Sequence, residues 1–366
     1  MNSAESFSAD YAEAREKFVQ AAREAGGAME RIANPNRGPD GGDLSTDVAW
    51  FGPRTAEAVL VMVSATHGVE GFCGSGAQVD WLRRGGAAAL PSGVAALLVH
   101  AINPYGFAWL RRVTEENIDL NRNWIDFSGG APANAGYDEL ANALEPETWT
   151  PESQAASNSV LRAFAERHGP AALQQALTGG QYRHPKGVFY GGDAPSWSRR
   201  TQETIYGGYL GQAGRVAILD YHTGLGPWGY AEPIMTDPAG SEAFRRGCAW
   251  YGAAVTTPLD GSSTSAITAG DNLAAAPALV AQAEVTGLAL EFGVQSMAKV
   301  SYALRADAWL HAKGDPISPE GRAIKAQVRE AFYGDAPDWK GMVAGQSLTA
   351  CRQALAGLRG AAARPS

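Results

Sequence analysis

The sequence predicts an α/β fold built on a mostly parallel sheet. Short apolar runs rich in β-branched residues alternate along the chain with segments of helical pattern, and this alternation is typical of parallel sheets. Polar residues capable of chemistry stand at or just beyond the carboxyl ends of four predicted strands: His67, Asn103, His222 and Glu291. Because sites in open α/β sheets form in the crevice beyond those ends, we expect these residues to share one site.

The amino-terminal part begins with a predicted helix over residues 8–25, where Ser8 can cap the first turn and Gly26-Gly27 end the helix. The run AVLVMV from Ala58 is apolar throughout, which favours a strand buried on both faces. The other elements predicted here are strands over 46–52, 58–64 and 94–102 and a helix over 74–84.

The stretch from Phe107 to Phe127 is dense in charged and amide residues and has neither a helical nor a strand period. We interpret it as a loop that returns to the site. An insertion over about 128–200 follows, with helices predicted near 158–178. Tyr190 and Trp197 are our candidates from this insertion for shaping a pocket.

The carboxyl-terminal part continues the alternation of strands and helices. Strands are predicted over 215–221 and 286–292, and helices near 241–252, 302–313 and 319–333. We expect one domain over residues 1–340 and a terminal helix or tail over 341–366, frayed beyond about 355.

Composition excludes several classes of partner. The net charge of -8 argues against nucleic acid or an anionic membrane. The three cysteines are far apart and form no CxxC pair, so a disulfide framework is not expected. No apolar run reaches the roughly 18 residues of a membrane span, and the first residues have no apolar signal segment. We therefore expect a cytoplasmic protein.

The stretch HGVE places His67 and Glu70 three residues apart on a glycine-flanked turn, where both side chains can reach one cation. A chance match is the alternative for this pair, and a hydrogen-bonded core histidine is the alternative for His222. Glu291 lies inside the apolar run TGLALEFG and is harder to explain by a structural role. A carboxylate in an apolar strand is costly unless it is paired or functional.

Asn121 and Arg122 form a second polar group, in the loop that we expect to return to the site. A guanidinium beside an amide is well shaped to bind a carboxylate with two hydrogen bonds. A solvated loop and an internal ion pair with Asp126 are the alternatives.

Taken together, these stretches resemble the zinc carboxypeptidase family and its aspartoacylase and succinylglutamate desuccinylase relatives. The resemblance spans about residues 58–293 and includes the order of the motifs along the chain. It implies a single α/β domain with a mixed sheet of about eight strands and helices on both faces. The motifs are HGVE at 67–70, NPYGF at 103–107, an arginine pair at 111–112, DLNRNW at 119–124, DYHTG at 220–224 and LEFG at 290–293.

The resemblance implies a catalytic metal centre. His67, Glu70 and His222 match the ligands of a single zinc ion per chain, and three protein ligands leave a position for water. Glu291 matches the general base and acid.

The resemblance also implies roles for the charged loop. Arg112 matches the arginine that stabilises the substrate carbonyl oxygen, although the adjacent Arg111 is an alternative. Asn121 and Arg122 match the pair that binds a free substrate carboxylate. Asp119 matches the carboxylate that orients the first zinc histidine.

We therefore expect a zinc-dependent hydrolase, like a metallocarboxypeptidase, that cleaves an amide or peptide bond next to a free carboxylate. Its substrate would be a small peptide or an acylated amino acid. An N-acyl amino acid deacylase and a zinc- or carboxylate-binding protein without turnover are alternatives, and a thiol hydrolase using Cys73 is a third. Peptide carboxypeptidases carry a mobile tyrosine, for which Tyr230 and Tyr251 are the candidates.

Overall fold

The centre of the computed structural model, which describes residues 2–360, is one mixed sheet of seven strands. The strands are β1 (Ala28–Arg37), β2 (Asp43–Phe51), β3 (Ala58–Val63), β4 (Val94–His100), β5 (Arg215–Gly224), β6 (Ala231–Ile234) and β7 (Glu284–Gly293). They lie in the order β1-β2-β4-β3-β5-β7-β6. The four inner strands β4, β3, β5 and β7 are parallel, and the flanking strands are antiparallel to their neighbours. The predicted α/β fold with a mixed sheet is confirmed.

The sheet is covered on both faces because its inner strands are apolar on both faces. Alternate residues of a strand point to opposite sides. In β3, Leu60 and Met62 belong to one apolar cluster, and Val59 and Val61 belong to the other. A single run of six buried residues therefore joins the two layers of the core.

The helices of the described residues include every one that the sequence predicts, with shifted ends. The helices predicted near 158–178 are two, over Pro151–His168 and Pro170–Thr178, because Pro170 cannot continue the first one and Gly169 has a φ of 89° that starts the second. The helices are α1 (Tyr11–Glu24), α2 (Gly71–Arg83), α3 (Pro104–Ala108), α4 (Ala135–Leu144), α5 (Pro151–His168), α6 (Pro170–Thr178), α7 (Trp197–Leu210), α8 (Glu242–Tyr251), α9 (Asn272–Leu279), α10 (Met297–Lys313), α11 (Pro319–Phe332) and α12 (Pro337–Gly360).

The last helix, α12, differs from the expected frayed tail. It continues to Gly360, and Ala354 and Leu358 are buried in the core, so the expectation of fraying is wrong as far as residue 360. Residues 361–366 lie outside the described part of the chain. The division of the chain near residue 340 stays a prediction. Of the helices described, none is both long and apolar enough to cross a membrane.

Candidate active site

The carboxyl ends of β3, β5 and β7 bring the predicted residues together. His67 follows β3, whereas His222 and Glu291 lie near the ends of β5 and β7. The parallel register pairs His222 directly with Glu291. Residues paired in this way point to the same face of a sheet, so the imidazole and the carboxylate lie side by side.

The turn that carries His67 and Glu70 is held by backbone contacts. It is a short 3₁₀ segment over Gly68–Glu70, followed at once by α2. The N–H of Gly68 donates to the carbonyl of Arg112 at 3.0 Å, which ties the turn to the charged loop. A Cβ on Gly68 would clash with the backbone of Gly106 in α3, so only glycine allows the 3₁₀ segment and α3 to approach so closely.

His67, Glu70 and His222 direct their ligand atoms at one point. The Nδ1 atoms of the two histidines are 3.1 Å apart. The Glu70 carboxylate lies 3.0 Å from each of them, through Oε1 to His67 and through Oε2 to His222. All three residues are buried, and one ligand atom from each lies within 4.8 Å of the others. This set of two nitrogens and a carboxylate suits a divalent metal such as zinc.

The outer nitrogens of both histidines face carboxylates. Asp119 Oδ1 lies 3.3 Å from Nε2 of His67, and Asp220 Oδ2 lies 2.9 Å from Nε2 of His222. Asp220 also accepts a hydrogen bond from the hydroxyl of Thr66 at 2.8 Å. Carboxylates placed behind metal-binding imidazoles fix the tautomer that turns the other nitrogen towards the metal.

Asp119 is one of the residues predicted from the sequence, whereas Asp220 is not. A signal was present, because Asp220 precedes His222 by two residues in a predicted strand, and such residues share a face. The run DYH therefore placed a carboxylate and an imidazole on the same side of β5.

The charges around the centre keep its carboxylates ionised. Burial alone would raise the pKa of Glu70, but the neighbouring His67 and His222 outweigh that effect and lower it. Burial acts in the same direction on Asp119, and Arg112 and Arg122 hold the pKa of that carboxyl well below its usual range. Ionised carboxylates are the form that binds a metal or orients a ligand.

Glu291 lies beside the three converging residues and is not one of them. It lines the cavity, and its Oε1 accepts a hydrogen bond from the backbone N–H of Leu225 at 3.2 Å. Burial, together with the negative charge of Glu70, raises the pKa of Glu291 to about 7. A carboxyl group with this pKa can both accept and return a proton near neutral pH.

The two adjacent arginines have separate environments. Arg112 lines the cavity and donates from Nε to Asp119 at 2.8 Å and from Nη1 to Glu70 at 3.1 Å. Arg111 forms a buried ion pair with Asp307 at 2.9 Å instead. Of the two, only Arg112 is in reach of a substrate at the centre.

Arg122 is buried and lines the cavity, but its guanidinium is partly engaged. Nε and Nη2 donate to the carbonyl of Thr178, and Nη1 donates to the carbonyl of Asn121. Asp119 lies 4.0 Å away, and Asp126, the alternative partner, forms no ion pair with it. Asn121 lines the cavity as well and accepts a hydrogen bond from the N–H of Asn272 at 3.3 Å.

The cavity has a volume of about 880 Å³, and the insertion over 128–200 forms one of its walls. Tyr190 and Trp197, the insertion residues that we expected to shape the pocket, do not line it. Tyr230 and Tyr251, the candidates for a mobile tyrosine, do not line it either. Among the described residues, the tyrosine that lines the cavity is Tyr302 on α10, which lies after Glu291 in the chain and not between His222 and Glu291. Apolar insertion residues in the wall include Leu144, Leu161, Leu173, Leu177, Val188 and Phe189.

Cys73 is fully buried in α2 and does not line the cavity. Burial raises its pKa well above the ordinary thiol value, with further contributions from Glu70 and Glu291. A buried, protonated thiol is a poor nucleophile, which removes the support for a thiol hydrolase.

A family model described as "Protein of unknown function (DUF2817)" matches residues 7–346 of the chain. The chain belongs to the DUF2817 family. None of the curated proteins compared with this DUF2817 chain matches it significantly.

Solved structures similar to this DUF2817 protein include a carboxypeptidase, an aspartoacylase family protein and an amidase. Carboxypeptidase A from Helicoverpa armigera is 12% identical with a TM-score of 0.44, over 88% of this chain and 73% of that one. An aspartoacylase family protein from Mesorhizobium loti is 14% identical with a TM-score of 0.34, over 77% and 67%. Murein-tripeptide amidase MpaA from Escherichia coli O157 is 17% identical with a TM-score of 0.32, over 79% and 90%.

Carboxypeptidases and aspartoacylases are also the classes that the sequence motifs resemble. At these identities and TM-scores, the similarities carry no argument about activity. We therefore infer the function from the geometry of the site.

Proposed function

We propose that this protein is a zinc-dependent hydrolase that cleaves an amide or peptide bond next to a free carboxylate. The observation that carries the proposal is the convergence of His67, Glu70 and His222, with a carboxylate behind each imidazole. Zinc held by these residues would keep a position for water, lower the pKa of that water to about 7 and polarise a carbonyl group.

The charge of the site supports a divalent cation. The carboxylates around the centre outnumber the arginines, and a dication would offset the excess of negative charge at low dielectric. The carboxylates are Glu70, Asp119, Asp220 and Glu291, and the arginines are Arg112 and Arg122.

Glu291 is the general base and acid in this proposal. It stands next to His222 without being needed as a ligand, and its pKa of about 7 suits both directions of transfer. It takes a proton from the attacking water and returns it to the leaving nitrogen.

Arg112 stabilises the negative charge that develops on the substrate carbonyl oxygen. Glu70 and Asp119 engage its Nη1 and Nε atoms and hold the guanidinium in place. Its Nη2 forms no hydrogen bond within residues 2–360, which supports its assignment to the substrate.

Asn121 and Arg122 bind the free carboxylate of the substrate. The carbonyls of Thr178 and Asn121 fix the guanidinium of Arg122, and each of its Nη groups keeps a second N–H. A group held in this way loses little freedom on binding and can position the amide for attack.

The substrate is a small peptide or an acylated amino acid, and the same residues would serve an N-acyl amino acid deacylase. The apolar cavity wall built by the insertion favours an apolar chain on one side of the scissile bond. Hydrolysis of peptides compared with acylated amino acids separates the two enzymes.

The test compares Glu291→Gln with His67→Ala. Glu291→Gln keeps the shape of the side chain but cannot accept a proton, so it should retain zinc and lose activity by about 10²–10⁴-fold. His67→Ala should lose zinc and activity together. Elemental analysis and a hydrolysis screen of peptides and acylated amino acids are the measurements.

Two outcomes would contradict the proposal. Full activity of Glu291→Gln would remove Glu291 from the mechanism. Zinc binding by the wild type without hydrolysis of any substrate in the screen would favour the binding protein without turnover.

A further inference from the structure

The cavity that contains the proposed metal site has a volume of about 880 Å³, which is enough for a ligand larger than the reacting groups. Part of its wall comes from α5, α6 and α10 and is largely apolar. Such a wall binds hydrocarbon and offers nothing to a charge. The apolar residues of these helices that line it include Leu161, Leu173, Leu177, Val300 and Leu304.

One buried charged side chain interrupts this apolar wall. Arg305, on α10, lines the cavity and is only 4% exposed. Its Nη1 donates to Oδ1 of Asn158 at 2.9 Å, and its guanidinium carbon lies 5.7 Å from the ring centre of Trp149. Its Nε and Nη2 have no hydrogen-bond partner within residues 2–360.

Three other arginines near the site, all largely removed from solvent, each have a carboxylate. Arg111 pairs with Asp307 at 2.9 Å, Arg112 pairs with Asp119 at 2.8 Å, and Arg122 lies 4.0 Å from Asp119. Arg305 forms no such pair with any described carboxylate, and burial lowers its pKa. Burying a charge without a partner is costly, so a buried guanidinium of this kind calls for a ligand.

The two unpaired atoms of Arg305 form the edge of a guanidinium that binds a carboxylate with two hydrogen bonds. Arg15 uses this edge elsewhere in the chain, with Nε donating to Asp47 Oδ2 at 2.7 Å and Nη2 donating to Oδ1 at 3.0 Å. Arg305 presents the same pair of donors without an acceptor.

We propose that Arg305 binds an anionic group of the substrate, a carboxylate carried at the far end of an apolar segment. The inference rests on the proposed function, because it assigns a second recognition point in the same cavity. The preferred substrates are then acylated amino acids or short peptides with two anionic groups. One lies next to the scissile amide and the other lies beyond a hydrocarbon chain that covers the apolar wall.

A binding experiment tests the site without turnover. The probes are octanedioate and its monoamide, which differ only in one terminal charge, titrated calorimetrically into zinc-loaded and zinc-free protein. The wild type should bind the dianion about 10–100-fold more tightly than the monoamide. Arg305→Met should abolish that preference, and Arg305→Lys, which keeps the charge but not the fork, should retain part of it.

Arg162 provides a matched control, because it also lines the cavity but is exposed. Arg162→Met should keep the preference for the dianion. The proposal is overturned if the preference survives in Arg305→Met, if it is lost in Arg162→Met instead, or if the wild type has none. Melting temperatures of all variants verify that each is folded, and Arg305→Lys replaces Arg305→Met if the latter is not.

Kinetics then separates this inference from the proposed function. N-acyl amino acids that bear a terminal carboxylate or a terminal carboxamide on the aliphatic chain are compared by kcat/KM. A preference for the carboxylate that depends on Arg305 supports both proposals. Turnover without a preference sinks the Arg305 site alone, and a preference in binding without any turnover sinks the hydrolase alone.

Discussion

At the scale of single residues, a carboxylate faces the outer nitrogen of each candidate metal-binding histidine. Asp220 accepts hydrogen bonds from Thr66 and Asn272 and faces the outer nitrogen of His222. It therefore decides which nitrogen of that imidazole is free to bind a metal.

We predict that Asp220→Asn weakens zinc binding by about 10–100-fold, because an amide orients the imidazole less well and leaves it less basic. A competition titration against a chromophoric chelator measures the change. Asp126→Asn makes the same chemical change at an exposed position and should leave the affinity unaltered. An unchanged affinity in Asp220→Asn would show that the carboxylate has only a structural role.

The site residues at or directly after the ends of strands could be predicted from the sequence. His67, His222 and Glu291 follow or end apolar runs, so their common edge could be predicted. Arg305 could not, because it lies in the middle of a helix and its burial depends on packing against distant residues. Its hydrogen-bond partner Asn158 is 147 residues away in the chain.

At the scale of elements, the 3₁₀ segment over Gly68–Glu70 packs its backbone against the backbone of α3 at Gly106. We predict that Gly68→Ala displaces the 3₁₀ segment, separates His67 from Glu70 and lowers zinc occupancy well below one per chain. Gly207→Ala is the control, since nothing lies within 4 Å of a Cβ at that helical position. Zinc content and melting temperature are the readouts, and normal occupancy in Gly68→Ala would contradict the prediction.

A buried ion cluster joins the charged loop to α10 and α11. Asp307 on α10 binds Arg111 and Lys325, and these two charges lower the pKa of Asp307 to about 2 although burial opposes them. We predict that Asp307→Asn costs about 3–5 kcal/mol of unfolding free energy, because it leaves two buried cations without a counter-charge.

Urea denaturation measures that cost. Asp335→Asn removes a carboxylate from a more exposed pair with Arg329 and should cost less than about 1 kcal/mol. Equal effects of the two substitutions would show that burial does not govern the cluster.

Elements with a clear apolar period were predicted, and the others were missed for physical reasons. β1 is an edge strand that pairs only with β2, so most of its residues are exposed and it lacks an apolar alternation. β6, at the other edge, has only four residues and contains Pro233. The helix break at Gly169-Pro170 was visible in the sequence as a glycine-proline pair.

At the scale of the whole molecule, two histidines that stay neutral in the fold make part of the stability sensitive to acid. Burial lowers the pKa of His100 to about 4 and that of His311 to about 3, both from an ordinary 6.5. At these two residues the unfolded chain therefore binds more protons than the folded one between about pH 6.5 and pH 4. The stability that they contribute is fully present above this window and is lost as the pH is lowered through it.

We predict that, in the metal-free protein, lowering the pH from 6.5 to 4.5 shifts the melting temperature of the wild type downward relative to that of His100→Phe. Phe retains the stacking on Phe18 but cannot bind a proton. The comparison uses the slope with pH, since losing the contact with Ser75 shifts all melting temperatures alike. Parallel slopes for the two proteins would exclude His100 as a cause.

The strand order has a consequence for how the protein is made. β3 lies between β4, its neighbour in the chain, and β5, and 155 residues separate His67 from His222. Pairings between such distant segments form slowly, because a long loop must close before any contact rewards it. On the ribosome, the HGVE turn emerges long before β5, so the nascent chain at first contains only two of the three proposed zinc ligands. The proposed zinc ion would therefore be held by all three ligands only after β5 has joined the sheet.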